Sequence, residues 1–184
     1  MNQLASSGQL RTSFLRWALV LVPVVVLLGF VSAQLGNSGP QNPWFAQLAK
    51  PSLYPPPAAF GIVWTILYIM MGLAAAWIGA ARGARGRGVA FIAFAVQLLL
   101  NMAWSPLFFG LHEITKALYL LFALDIAVVV TLALFWRVRP IAALLLTPYL
   151  AWVLFATVLN WQFLIANPDA DGMPTGNAVS RIQL

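Results

Sequence analysis

Five apolar runs, each long enough to cross a bilayer as a helix, leave this chain few ways to fold. A helix rises about 1.5 Å per residue, so roughly 20 apolar residues cross the hydrocarbon core. The runs are Trp17 to Ala33, Ala58 to Ala81, Val89 to Phe109, Ile114 to Trp136, and a last one ending near Ala166. Turn and charge chemistry separates them: Gly36 to Pro43, then Arg82, Arg85 and Arg87 among glycines, then Gly110 to Glu113, then Arg137, Arg139 and Pro140. Backbone polar groups in lipid must be satisfied within their own segment, which selects helices over open strands. The fold class expected is therefore all-α, an integral membrane five-helix bundle over residues 16–166. The polar segments 1–15 and 167–184 flank it and are expected to be disordered. The chain is 62% hydrophobic and 8% charged, against about 25% charged in soluble domains.

The first run has two readings. Val31-Ser32-Ala33 fits a signal-peptide cleavage site. The same stretch fits an uncleaved first helix kinked at Pro23. The net charge of +6 calls for no nucleic acid, because the arginines stand at the ends of apolar runs. Their distribution sets an orientation. Arg11, Arg16, Arg82, Arg85, Arg87, Arg137 and Arg139 fall on one side, expected to be cytoplasmic; Lys50, Lys116 and Arg181 fall on the other.

The stretch Trp44 to Gly72 organises the candidate site. It starts as a short amphipathic run, breaks at Lys50-Pro51 and at Pro55-Pro56-Pro57, and becomes the second apolar helix. Prolines lack an N–H and clash with the preceding turn, so the triplet marks a stiff loop lying on the membrane surface. On the helix that follows, Phe60, Trp64 and Tyr68 recur every fourth residue and share a face.

Polar residues inside a bilayer normally face the bundle. The third run carries Gln97, Asn101 and Ser105 on one face, with Trp104 and Phe108 beside them. Pro106 frees the carbonyl of Met102 to accept from a neighbour. The fourth run holds one carboxyl, Asp125; the fifth holds Thr147, Thr157 and Asn160, with Trp152, Phe155 and Ala156 between them. Interhelical bonding at roughly 0.6 kcal/mol each accounts for Gln97 and Asp125. Asn101 among aromatics fits ligand contact equally. Gly72, Ala76 and Ala80 recur every four residues, with Ala75, Gly79 and Gly83 beside them; such small residues let helices approach closely, within the bundle or between two subunits.

Acidic residues are only Glu113, Asp125, Asp169 and Asp171, the one histidine is His112, and cysteine is absent. That set cannot supply a zinc site or a hydrolytic triad. His112 reads as a solvated turn residue.

Several long motifs resemble the translocator protein family, also called tryptophan-rich sensory proteins, TspO/MBR or peripheral benzodiazepine receptors. They are Trp44-x3-Leu48-x-Lys50-Pro51, Pro55-Pro56, Phe60-x3-Trp64-x2-Leu67-Tyr68-x2-Met71-Gly72, Asn101-x2-Trp104-Ser105-Pro106-Leu107-Phe108-Phe109-Gly110, and Pro148-Tyr149-Leu150-x-Trp152 followed by Phe155-Ala156-Thr157 and Leu159-Asn160. The resemblance implies a five-helix bundle, often dimeric, that keeps its first helix and opens a pocket beneath its first loop. It implies ligands such as protoporphyrin IX, haem, sterols and benzodiazepine-type compounds, with no cofactor required. Pocket positions fall on Phe45, Pro55, Phe60, Trp64, Tyr68, Asn101, Trp104 and Ala156, with Phe108 on the same aromatic face. Lys50 stands where it would either pair with a propionate or cap the loop. The family often has tyrosine at the position of Phe45, to which light-dependent porphyrin breakdown is linked, so its absence argues against an enzyme. No base follows Tyr149 as a sterol motif requires. A porphyrin receptor or sensor leads these expectations, ahead of a transporter, a photochemical enzyme and a structural partner.

Overall fold

The computed structural model describes residues 7–173; expectations about residues 1–6 and 174–184 lie outside the described residues. Among the described residues there are six α-helices: α1 Ser7–Leu35, α2 Pro43–Gln47, α3 Pro57–Ala80, α4 Arg87–Ser105, α5 Ile114–Val138 and α6 Pro140–Ala166. A π-helical turn, Pro106–Gly110, extends α4, and a 3-10 turn, Pro168–Ala170, follows α6. Five of the helices are long and apolar enough to span a membrane. The chain is a multi-pass membrane protein. The spanning helices form a ring: α1 packs on α3, α3 on α6, α6 on α5, α5 on α4, and α4 closes against α1.

α1 begins ten residues earlier than its apolar run, within a segment expected to be disordered. Rings hold these extra turns. Phe14 stacks on Trp77 at 4.4 Å between centroids, and Trp17 lies 5.8 Å from Phe91. Arg87 crosses Trp17 and donates from Nε to Ile78 O at 3.1 Å, capping the end of α3.

The small-residue stripe on α3 is used within one chain. A Cβ added at Gly72 would lie 2.6 Å from Val22 Cα, and one at Gly79 would meet the Trp17 ring. Nearer α2, α1 returns the arrangement: Gly29 accommodates the Tyr68 ring. The carbonyl of Met102 that Pro106 releases does find a donor, since Ser32 Oγ of α1 reaches it at 2.6 Å. Ser32 is thus an interhelical tie inside a continuous helix.

The intramembrane polar residues pair across helices. Tyr149 hydroxyl donates to Gln97 Oε1 at 2.8 Å, with both side chains fully buried. Thr157 Oγ1 donates to Asp125 Oδ2 at 2.8 Å. Two buried clusters result. One, around Met71, Ile78, Phe135 and Tyr149, ties the spans together; the other, around Trp44, Phe45, Phe108, Ile114 and Phe163, closes one end. Trp104 packs against both.

Candidate ligand cavity

α2 is a lid, and its sequence explains it. Asn42 precedes Pro43 at the first helical position, which favours both capping and the fixed φ of a helix start. Asn42 Oδ1 accepts from Phe45 N at 2.9 Å, while its Nδ2 donates to Asn37 O and Phe109 O, each at 3.2 Å. At the other end Lys50 Nζ donates to Phe45 O at 2.5 Å and Leu48 O at 2.8 Å, lying 4.4 Å above the Phe45 ring. Partial burial pulls the Lys50 amine below its ordinary pKa and raises the Tyr54 phenol. Of the two roles open to Lys50, the structure realises the cap.

The segment after α6 holds the lid from above. Asn167 Oδ1 accepts from Ala49 N at 2.7 Å, and its Nδ2 donates to Ala49 O at 3.0 Å. Trp44 Nε1 donates to Ala170 O at 3.3 Å. His112 stacks on Trp44 at 4.5 Å and its Nδ1 lies 2.8 Å from Met173 O. Asp171 Oδ1 accepts from Thr115 N at 3.0 Å, at the start of α5. Two expectations are corrected here. His112 is buried, at 4% exposure, because the chain end folds over its turn. Residues 167–173, expected to be disordered, are docked.

Beneath the lid lies a cavity of about 450 Å³, lined from α1, the lid and the loops flanking it, α3, α4, α5 and α6. Phe45, Phe60, Trp64, Tyr68, Asn101, Trp104, Phe108 and Ala156 all line it; Lys50 and Pro55 do not, while their neighbours Tyr54 and Pro57 do. Trp64 stacks on Tyr68 at 5.3 Å, Tyr54 on Phe60 at 5.5 Å, and Trp104 on Phe108 at 5.0 Å. Trp152 stands edge-on to both Phe60 and Trp64, at 5.9 and 6.4 Å.

Among the described residues, none that lines it is charged. Polar atoms are few and mostly satisfied. Tyr68 hydroxyl donates to Asn101 Oδ1 at 3.1 Å. Trp104 Nε1 donates to Asn160 Oδ1 at 3.2 Å, and Asn160 Nδ2 donates to Ile114 O at 3.0 Å, which fixes the Trp104 ring. The Trp152 indole nitrogen has no partner among the described residues. Such a space accepts a flat, largely apolar molecule by ring contact, with one or two hydrogen bonds to set its orientation. Among the described residues, its lining carries no carboxylate, imidazole, amine or thiol, only amides, indoles and hydroxyls. Among the described residues no three His, Cys, Asp or Glu side chains meet as metal ligands would.

Sequence reasoning left Trp152, Asn160 and Phe163 out of the site. With Ala156 they recur along one face of α6, the same signal that singled out Phe60, Trp64 and Tyr68. Tyr54 sits in a loop, where no periodicity marks it.

The sequence profile of the TspO/MBR family matches residues 19–165. The tryptophan-rich protein TspO of Chlorobaculum tepidum is 43% identical over 130 residues, covering 70% of this chain and 82% of that protein. Protein CrtK of Rhodobacter capsulatus is 37% identical over 126 residues, 68% of this chain and 79% of its own length. The human translocator protein is 39% identical over 120 residues, 64% and 71% of the two chains.

Proposed function

The chain belongs to the TspO/MBR family, and on that footing we propose that it is a membrane receptor or sensor for a planar apolar ligand of the porphyrin class, protoporphyrin IX or haem. The observation that carries this reading is the aromatic cavity with Asn101 and Tyr68 as its polar mark. A cavity of this size lies within the range used for small-molecule ligands. Because no charge lines it, a porphyrin would bury its macrocycle and leave its carboxylates at the rim. The reading places the N-terminus and the two arginine-bearing loops in the cytoplasm, by the excess of Arg there, so the lid faces the opposite compartment.

The names borne by relatives cover both sensing and translocation. Sensing fits better here, since one half-buried intramembrane carboxyl, Asp125, bonded to Thr157, gives no relay to drive transport.

Titration of the purified protein with protoporphyrin IX, followed by tryptophan fluorescence, tests the proposal. Removing a stacked ring in Trp64→Ala should weaken binding about 2- to 10-fold, from about 0.5–1.5 kcal/mol per aromatic pair. Asn101→Ala should weaken it within a similar range. Wild-type affinity in both variants would refute the assignment of this cavity.

A further inference from the structure

The cavity is walled unevenly. Its lining residues on α4, α5, α6 and the lid are buried or half-buried, whereas Phe30, Pro40, Pro57, Gly61 and Thr65 are exposed. All five stand on α1, on the loop after it, or between Pro57 and Thr65 of α3. Phe30 alone is 61% exposed.

The same two helices are pressed together farther from the lid. Tyr68 sits on Gly29, Val22 on Gly72 and Trp17 on Gly79. Toward the lid the seam parts, and a Cβ at Gly61 would meet nothing within 4 Å. Thr65 Oγ1 donates to Gly61 O at 2.7 Å, so no unpaired hydroxyl interrupts the apolar lips of the gap.

Depth decides what the gap faces. From Pro57 to Thr65 is about 12 Å at 1.5 Å per residue. The 24-residue α3 is about 36 Å long, against a hydrocarbon core of about 30 Å. Thr65 therefore lies several ångströms inside the acyl region. The lid itself is packed down: Phe45 and Trp44 are 3% and 8% exposed, under ties through Asn42, Asn167 and His112, so the gap runs along α1 and α3 from Pro40 and Pro57 at the lid's edge to Thr65.

We propose that the ligand enters and leaves sideways from the lipid phase, through a slit between α1 and α3, with Gly61 on one lip and Phe30 on the other. This rests on the ligand class proposed above. It makes the occupant a molecule already dissolved in the bilayer, selected first by its partition into lipid and then by the rings inside.

Stopped-flow tryptophan quenching by protoporphyrin IX, with the full chain in lipid nanodiscs, tests the route. Gly61→Leu fills the slit and should slow association at least tenfold, with dissociation slowed alongside; Gly61→Ala should slow both less. Asn167→Ala, which loosens the lid, should leave association within twofold. Wild-type association in Gly61→Leu, or a large acceleration in Asn167→Ala, overturns the route. If Gly61→Leu abolishes binding, Phe30→Ala decides instead: faster association supports the slit, and an unchanged rate overturns it. If the wild-type chain does not bind protoporphyrin IX at all, the preceding reading fails by itself. The slit is then judged on Gly61→Cys, unique in a chain without cysteine. Faster modification by a bilayer-partitioned maleimide than by a water-soluble one supports it, and the reverse order overturns it.

Discussion

Two glycines on one helix should respond oppositely to the same methyl group. At Gly72 an added Cβ would lie 2.6 Å from Val22 Cα and 3.0 Å from Val22 N. Carbon atoms rest about 3.5–4.0 Å apart, so α1 and α3 would have to separate by about 1 Å. The obstructing atoms are backbone, and no rotamer change moves them. Overpacking of this kind costs about 1–3 kcal/mol. Alanine returns up to about 1 kcal/mol of helix propensity. Gly72→Ala should therefore destabilise by up to about 2 kcal/mol. Gly61→Ala meets no atom within 4 Å, so only the propensity gain remains and the protein should be stabilised by up to about 1 kcal/mol. Unfolding by SDS titration in mixed micelles, read by tryptophan fluorescence, measures both. A Gly72→Ala variant at least as stable as Gly61→Ala would refute the seam. Because Tyr68 seats on Gly29 along this seam, Gly72→Ala should also weaken ligand binding.

Asn160 and Trp104 should be energetically coupled. A double-mutant cycle of Asn160→Leu with Trp104→Phe should give about 0.6–1.7 kcal/mol, and strict additivity would remove the bond. Lys50 should impose a pH dependence on lid stability. Its amine titrates below its ordinary value in the fold, so the unfolded lid binds more protons as pH climbs toward 10.5. Stability then rises with pH through that window. The Tyr54 phenol, raised by burial, acts in the opposite direction above pH 10. Thermal melts of wild type and Lys50→Met across pH 8–11 should therefore diverge upward for wild type, and parallel curves would refute the burial of the Lys50 amine in the folded lid.

The bundle was legible because hydropathy and arginine placement are local properties. Runs of spanning length bounded by Arg and Gly leave little choice of element. The aromatic face of α3 was legible for a similar reason, since a fourfold spacing on a known helix fixes direction. What escaped depends on partners distant in sequence. Pro106 marked Met102 as a free acceptor, yet its donor, Ser32, is 70 residues away. His112 looked solvated because only the docking of Gly172 and Met173 buries it. Lys50 stood open to either role because the lid carbonyls it bonds exist only once α2 has formed.

The lid's dependence on the far end of the chain has a consequence for biogenesis. Residues 43–47 leave the ribosome before most of the bundle exists, but Asn167, Ala170 and Met173 follow the last span. Until α6 has been inserted and these residues delivered to the same side, Trp44 and His112 lack their fastenings. A nascent chain thus carries an unlatched cover throughout translation. Cleaving it after Ala166 should leave five inserted spans with a cover held only by its own ties at Asn42 and Lys50.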